Sequence, residues 1–168
     1  MSIGFSIILP NYNSPFLKRS ILSVVNQTYN NWELIIIDNF SKGYPEEIVN
    51  KFNDNRIYFY KFDNNNNIAK ARNFGISKSK FKWIAFLDAD DVWKNNKIQL
   101  VKENIEQKNS DFIYHGMYYL PKKFGFFNNV IKDQSKEMKK PIYETLIKYG
   151  NGIANSSVVV RKSLLKKV

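Results

Sequence analysis

An α/β fold with a mostly parallel central sheet flanked by helices on both faces is predicted by the alternation of two hydrophobic periods along the 168-residue chain. Short, mainly apolar runs recur at Phe5–Leu9, Leu34–Ile37 and Phe81–Leu87, and segments with apolar residues at helical spacing separate them. Each run stops in polar residues: Pro10-Asn11-Tyr12-Asn13, Asp38, and Asp88-Ala89-Asp90-Asp91.

Taken in order, Phe5 to Leu9 reads as a buried strand. Ser14-Pro15 supplies a helix cap and a proline at the first helical position, followed by Leu17, Ile21, Leu22, Val24 and Val25 on one face. Leu34 to Ile37 is the second strand, and Pro45 to Phe52 a short helix beyond the turn at Ser41-Lys42-Gly43. Arg56 to Phe62 alternates, as a half-exposed strand does. Asp63 to Asn67 is an asparagine-rich loop leading into a helix over Ile68–Ser77, whose Ala69, Ala71 and Gly75 give a slim face. Phe81 to Leu87 is the fourth strand, Asn95 to Gln107 a helix, and Phe112 to Leu120 a fifth strand. Residues 121–140 form a basic connection without clear period, ahead of a helix over Ile142–Tyr149 and a β-branched run, Val158–Val160. The length suits one domain.

Composition excludes several classes. No apolar run reaches the roughly 20 residues that span a bilayer, and Ile3–Leu9 is too short for a signal peptide. The absence of cysteine rules out disulfide frameworks and thiolate metal sites. The expected compartment is the cytoplasm. A formal charge of +11 favours polyanionic neighbours without choosing among nucleic acid, lipid headgroups and phosphorylated substrates.

Open α/β sheets bind ligands beyond the carboxyl ends of their strands, where the polar stops gather. Three carboxylates within four residues repel one another unless a cation lies between them, and hard cations such as Mg²⁺ or Mn²⁺ prefer oxygen. Asp90 or Asp91 alone would serve as a helix cap, and Asp38 alone as a turn aspartate. Arg72 carries a planar fork suited to a diphosphate. His115, with no acid identifiable nearby, reads as a structural histidine. Tyr114, Tyr118, Tyr119, Phe124, Phe126 and Phe127 read as core before they read as a sugar-stacking surface.

The ordered blocks Ser6–Asn13, Ser23–Tyr29, Ile36–Ser41, Ala71–Gly75 and Phe86–Asp91 with Trp93 resemble the family 2 glycosyltransferases of GT-A (Rossmann-like) fold, over about residues 5–100. The resemblance implies a nucleotide-sugar donor, commonly a UDP-sugar, and inverting transfer to the hydroxyl of a saccharide or lipid-linked acceptor in bacterial surface polysaccharide or glycolipid synthesis. Pro10 and Tyr12 match the loop framing the base, Asp38 the aspartate that reads uracil or ribose, and Arg72 the arginine behind the nucleotide. Asp88, Ala89 and Asp90 match the DXD motif, with Asp90 and then Asp88 as ligands of Mn²⁺ or Mg²⁺ and Asp91 as a further candidate.

On this resemblance residues 1–120 form the donor-binding half of a single domain, and residues 121–168 begin the acceptor half. The family's Glu-Asp pair carrying the catalytic base would follow a segment like Ile153–Lys162. The chain stops at Val168 before that pair, so the expectation is a donor-binding fragment with little transfer on its own. Where the family often has a second aspartate and a glycine, the chain has Asn39 and Phe40. The basic C-terminal region suits peripheral contact with the inner face of an anionic membrane. No nucleic-acid partner is expected; the competing class is a non-catalytic nucleotide-binding or nucleic-acid-binding module.

Overall fold

The computed structural model describes residues 2–119, 132–133, 144, 147–148 and 152–165. Its strands are β1 (Phe5–Asn11), β2 (Trp32–Asp38), β3 (Ile57–Lys61), β4 (Trp83–Phe86), β5 (Phe112–Ile113), β6 (Tyr118–Tyr119), β7 (Lys132–Asp133) and β8 (Val159–Arg161). Its helices are α1 (Leu17–Val25), α2 (Pro45–Asn50), α3 (Ile68–Lys78) and α4 (Lys97–Lys108), and a single 3₁₀ turn spans Asn155–Ser157.

Among the described residues, a six-stranded sheet runs in the order β3-β2-β1-β4-β8-β5. The first four strands are parallel, whereas β8 is antiparallel to both β4 and β5. Every residue of β1, β2 and β4 is buried, as expected of strands covered on both faces. β3, at the edge, alternates between half-buried and exposed, as its sequence predicts.

The period of two divides the core cleanly. Ile7, Leu9, Leu34, Ile36, Ala85 and Val159 face one way and pack with Leu17, Ile21 and Val24 of α1, Val49 of α2, and Ile98, Val101 and Ile105 of α4. Ile8, Ile35, Ile37, Ile84, Phe86, Val158 and Val160 face the other way, onto Ala71 and Phe74 of α3. Gly75 lets α3 lie close: a methyl there would stand 2.6 Å from Ile37 Cδ1 and 2.8 Å from Ile8 Cγ2.

Two expectations are corrected. The strand expected over Phe112–Leu120 is only Phe112–Ile113, because Tyr114–Met117 leave the sheet before Tyr118–Tyr119 pairs with Lys132–Asp133. α1 begins at Leu17 rather than beside Ser14, whose hydroxyl instead donates to the Ala89 carbonyl at 2.8 Å. β8, which follows residue 120 in the chain, lies between β4 and β5 in the same sheet. The helix expected over Ile142–Tyr149 and the connection 121–140 lie largely outside the described residues; Glu144, Ile147 and Lys148 are helical. Among the described residues no helix is long and apolar enough to cross a membrane.

Candidate functional site: a cleft beyond the parallel strands

β1, β2 and β4 end together, and so do the polar residues that follow them. The parallel register sets Asn11 opposite Asp38 and Ile8 opposite Phe86. Asp38 is fully buried. Its Oδ1 accepts from Asn11 Nδ2 at 2.6 Å and its Oδ2 from the Ser41 amide at 2.9 Å. Asp38 therefore braces the loop rather than lying in its open face. The two loops are laced together as Asn13 N donates to Ser41 Oγ and Lys42 N to Asn13 Oδ1, both at 2.7 Å.

Above this brace lie two adjoining clefts. The smaller, about 260 Å³, is walled by Pro10, Asn11, Tyr12, Asn39, Asn64, Asn66 and Ile68. Two of its buried amide oxygens, Asn11 Oδ1 and Asn64 Oδ1, have no hydrogen-bond partner, and such groups are rare in folded proteins. The larger, about 480 Å³, shares Pro10, Tyr12 and Ile68 and adds Asp88, Ala89 and Asp90. Tyr12, 62% exposed, thus stands between an amide-lined recess and the acid loop.

The asparagine-rich loop is chemically specified. Asn65 and Asn66 adopt positive φ, which asparagine tolerates, and Asn67 Oδ1 caps α3 by accepting from the amides of Ala69 at 3.0 Å and Lys70 at 3.3 Å. Arg72, one turn in, extends toward the acids, and its Nη2 donates to Asp88 Oδ1 at 2.7 Å. With its amide oxygen turned to the guanidinium, Asn155 accepts from Arg72 Nη2 at 3.0 Å and Nη1 at 3.3 Å. Arg72 Nε is buried without a partner.

The acid loop is held mainly by its backbone. Ser20 Oγ, fully buried on α1, lies 2.9 Å from the Ala89 carbonyl and 2.8 Å from that of Asp91, and Arg19 Nη2 donates to the Asp90 carbonyl at 3.1 Å. Of the three carboxylates, Asp88 is paired with Arg72 and Asp91 is half-buried. Asp90 is exposed, and its carboxylate has no hydrogen-bond partner among the described residues. Burial pushes the Asp91 carboxyl above the usual range, opposed by a hydrogen bond from Ser156 and reinforced by the charges of Asp90 and Asp88.

Among the described residues no three His, Cys, Asp or Glu side chains gather into a preformed metal cage. Of the sequence-predicted residues, Pro10, Tyr12, Asp88, Ala89 and Asp90 share one cleft, Arg72 joins it through Asp88, and Asp38 lies beneath it.

The sequence matches the profile of glycosyl transferase family 2 over residues 6–168. The chain belongs to this family. It is 35% identical, over 161 residues, to the Escherichia coli UDP-Glc:alpha-D-GlcNAc-diphosphoundecaprenol beta-1,3-glucosyltransferase WfgD, covering 95% of this chain and 61% of that protein. It is 34% identical over 122 residues to the glycosyltransferase GlyG of Streptococcus pneumoniae, covering 71% of this chain and 40% of that protein. The chain thus spans about 61% of the length of the Escherichia coli relative.

Its fold matches that of S. aureus TarS 1-349 in complex with UDP-GlcNAc, with a TM-score of 0.75 and 21% identity over 98% of this chain and 47% of that one. The mannosyltransferase PcManGT from Pyrobaculum calidifontis, in complex with GDP-Man and Mn²⁺, gives 0.71 and 12% over 99% of this chain and 47% of that one. The family 2 chain has the GT-A fold expected from its sequence.

Asn39, Asn64, Asn155, Ser156, Ser20 and Arg19 were not singled out as site residues by the sequence. For Asn39 and Asn64 the signal was available, in the departure at Asn39 and in an asparagine run too polar for mere connection. His115 lies away from the clefts described above. Its Nδ1 is 2.7 Å from the Gly116 carbonyl, and it lines a separate cavity of about 370 Å³ with Trp93, Lys97 and Tyr118. Desolvation, then the Lys97 charge, push its pKa down. Tyr114 packs against the core as expected, whereas Tyr118 is exposed under the Lys94 ammonium. Phe124, Phe126 and Phe127 lie outside the described residues.

Proposed function

We propose that this chain holds the nucleotide-sugar donor of a glycosyltransferase that moves a sugar, from a UDP-sugar, to an acceptor hydroxyl with inversion. The observation that carries the reading is the adjacency of the two clefts across Tyr12 in a family 2 chain. One is lined with amides and the other carries the exposed Asp90 and the Arg72-paired Asp88. In this arrangement Tyr12 and Pro10 frame the base, and the unpartnered oxygens of Asn64 and Asn11 accept from its ring N–H. Asp38 acts by fixing Asn11 and the Ser41 turn.

Arg72 faces the diphosphate, its guanidinium held in place by Asp88. Asp90, and secondarily Asp88, hold Mn²⁺ or Mg²⁺, with Asp91 beside them. When bound, the ion supplies positive charge against the charge developing on the departing nucleoside diphosphate. The chain's own residues align the donor so that the face of the sugar opposite the diphosphate is open to the acceptor.

The name of the Escherichia coli relative supports UDP-glucose as donor and a diphosphoundecaprenol-linked sugar as acceptor, and with them a role in bacterial polysaccharide or glycolipid synthesis beside a membrane. The +11 charge suits peripheral contact with anionic lipid there.

Calorimetry with UDP, GDP and TDP, each with and without Mn²⁺, tests the donor reading. UDP is expected to bind best, to bind more tightly with Mn²⁺, and to lose that gain in Asp90→Ala. Equal, metal-independent binding of all three nucleotides would remove it.

A further inference from the structure

The acid loop is held from one side by α1 and from the other by a residue 68 positions later in the chain. Ser156, 1% exposed in the 3₁₀ turn before β8, accepts through Oγ from the Asp88 amide at 2.9 Å. The same hydroxyl lies near enough to the Asp91 carboxyl to oppose the rise that burial causes in its pKa. Its carbonyl is gripped by two buried donors, Lys97 Nζ at 2.6 Å and Trp93 Nε1 at 2.9 Å, and the Lys97 ammonium lies 3.6 Å over the Trp93 ring. Its neighbour Asn155 reaches Arg72, and Arg72 reaches Asp88.

One turn of chain therefore touches both the acids and the arginine of the proposed donor site. A buried lysine is an expensive way to hold a carbonyl. Desolvation drives the Lys97 amine well below its ordinary pKa, with only partial relief from Asp91. A stabilising core would place an apolar side chain there, and Trp93 already satisfies the carbonyl once. The second grip makes sense if the angle of the 3₁₀ turn matters.

We propose that Ser156 is a positioning residue for donor binding: locked by Lys97 and Trp93, it sets the Asp88–Asp91 loop and, through Asn155, the Arg72 guanidinium in register for a metal-bound diphosphate. The inference rests on the donor-site reading above. It assigns to Ser156 no contact with the donor. It makes Ser156 to the acid loop what an outer hydrogen-bond partner is to a metal ligand, a relation whose loss typically weakens metal affinity about 10- to 100-fold.

The test is calorimetry of UDP with and without Mn²⁺ on the 168-residue chain, comparing the unsubstituted protein with Ser156→Ala, Ser156→Thr and Asp90→Ala. In Ser156→Ala the Mn²⁺-dependent gain in UDP affinity is expected to fall by about tenfold or more, a clearly larger factor than the fall in metal-free UDP binding, which Arg72 carries without the ion. Ser156→Thr, which keeps the hydroxyl, is expected to recover most of the gain.

If Ser156→Ala keeps the full gain while Asp90→Ala loses it, the positioning inference is overturned and the donor site stands. If metal-free and metal-dependent binding fall together in Ser156→Ala, Ser156 is merely structural and the inference also fails. If the unsubstituted chain gains nothing from Mn²⁺, the donor-site reading falls and takes this one with it. Should Ser156→Ala not fold, Lys97→Met, which removes one of the two donors to the Ser156 carbonyl and spares the hydroxyl, replaces it. A loss of about threefold or more in the Mn²⁺-dependent gain supports the inference, and an unchanged gain overturns it.

Discussion

Gly75→Ala links the packing of α3 directly to the donor site. The added methyl would stand 2.6 Å from Ile37 Cδ1 and 2.8 Å from Ile8 Cγ2, whereas carbons rest at roughly 3.5–4.0 Å, so about 1 Å must be found. Ile8 and Ile37 are at most 1% exposed, and the Ile8 atom is a branch methyl rather than a chain end, so neither side chain has space to swing aside. The strain passes to α3, and lifting the helix draws Arg72, three residues earlier on the same face, away from Asp88.

Overpacking costs about 1–3 kcal/mol, and alanine's better helix propensity returns about 1 kcal/mol, leaving a net loss of about 0–2 kcal/mol. The Arg72–Asp88 contact is charge-assisted and mostly shielded, worth about 1.5–3 kcal/mol, so losing half of it weakens UDP binding by about fivefold. Thermal unfolding and UDP calorimetry on the same preparation read both numbers. A rise in melting temperature of several degrees with unchanged UDP affinity, as for glycine in an exposed helix, would refute the close-approach argument.

Further tests separate stability from the site. Glu33, 2% exposed at the opposite ends of the strands, accepts from Ser6 Oγ at 2.6 Å and the Lys80 amide at 2.8 Å through one oxygen. Glu33→Ala should cost about 2–4 kcal/mol in urea unfolding and Glu33→Gln, which keeps that oxygen, about 1 kcal/mol or less. Equal losses would mean charge, not acceptor geometry, is what counts. The His115 pKa is depressed on folding, so the unfolded chain takes up its proton first. Stability should fall as pH drops below about 6.5, and His115→Gln should flatten that slope in thermal melts. Lys97 is depressed too, so stability should rise with pH toward about 10.5. Lys97→Met should remove that rise and stabilise the fold at neutral pH by about 1–2 kcal/mol while weakening Mn²⁺-dependent UDP binding, a pairing that denaturation and calorimetry can check together.

Local chemistry made much of this molecule legible from its sequence. β1, β2 and β4 are mainly apolar because both faces are covered, and the polar residues that follow them fall on one side of the sheet because parallel strands share a direction. Pro10, Tyr12, Asp88 and Asp90 could therefore be placed in one cleft before any coordinates. What escaped was set by distance along the chain. Val158–Val160 reads as a strand, but nothing in three valines says that it runs antiparallel or that it separates β4 from β5. Ser156 looks like any serine before a strand, and its task depends on Asp88, Trp93 and Lys97 arriving from elsewhere. Asp38 was legible as important and not as buried, since its partners Asn11 and Ser41 belong to a lacing between loops that only the folded register creates.

The insertion of β8 between β4 and β5 also bears on the order in which the molecule becomes competent during synthesis. A chain leaves the ribosome from its amino terminus at about 5–20 residues per second. β1, β2, β3 and β4 emerge with all their mutual partners, yet the outer edge of β4 stays open until Val159–Arg161 follows. For that interval, several seconds at such rates, an apolar strand edge is exposed beside an acid loop missing its Ser156 anchor. Released chains ending just short of residue 155 should thus be more prone to edge-to-edge association and to chaperone capture than the 168-residue chain, which carries Val159–Arg161.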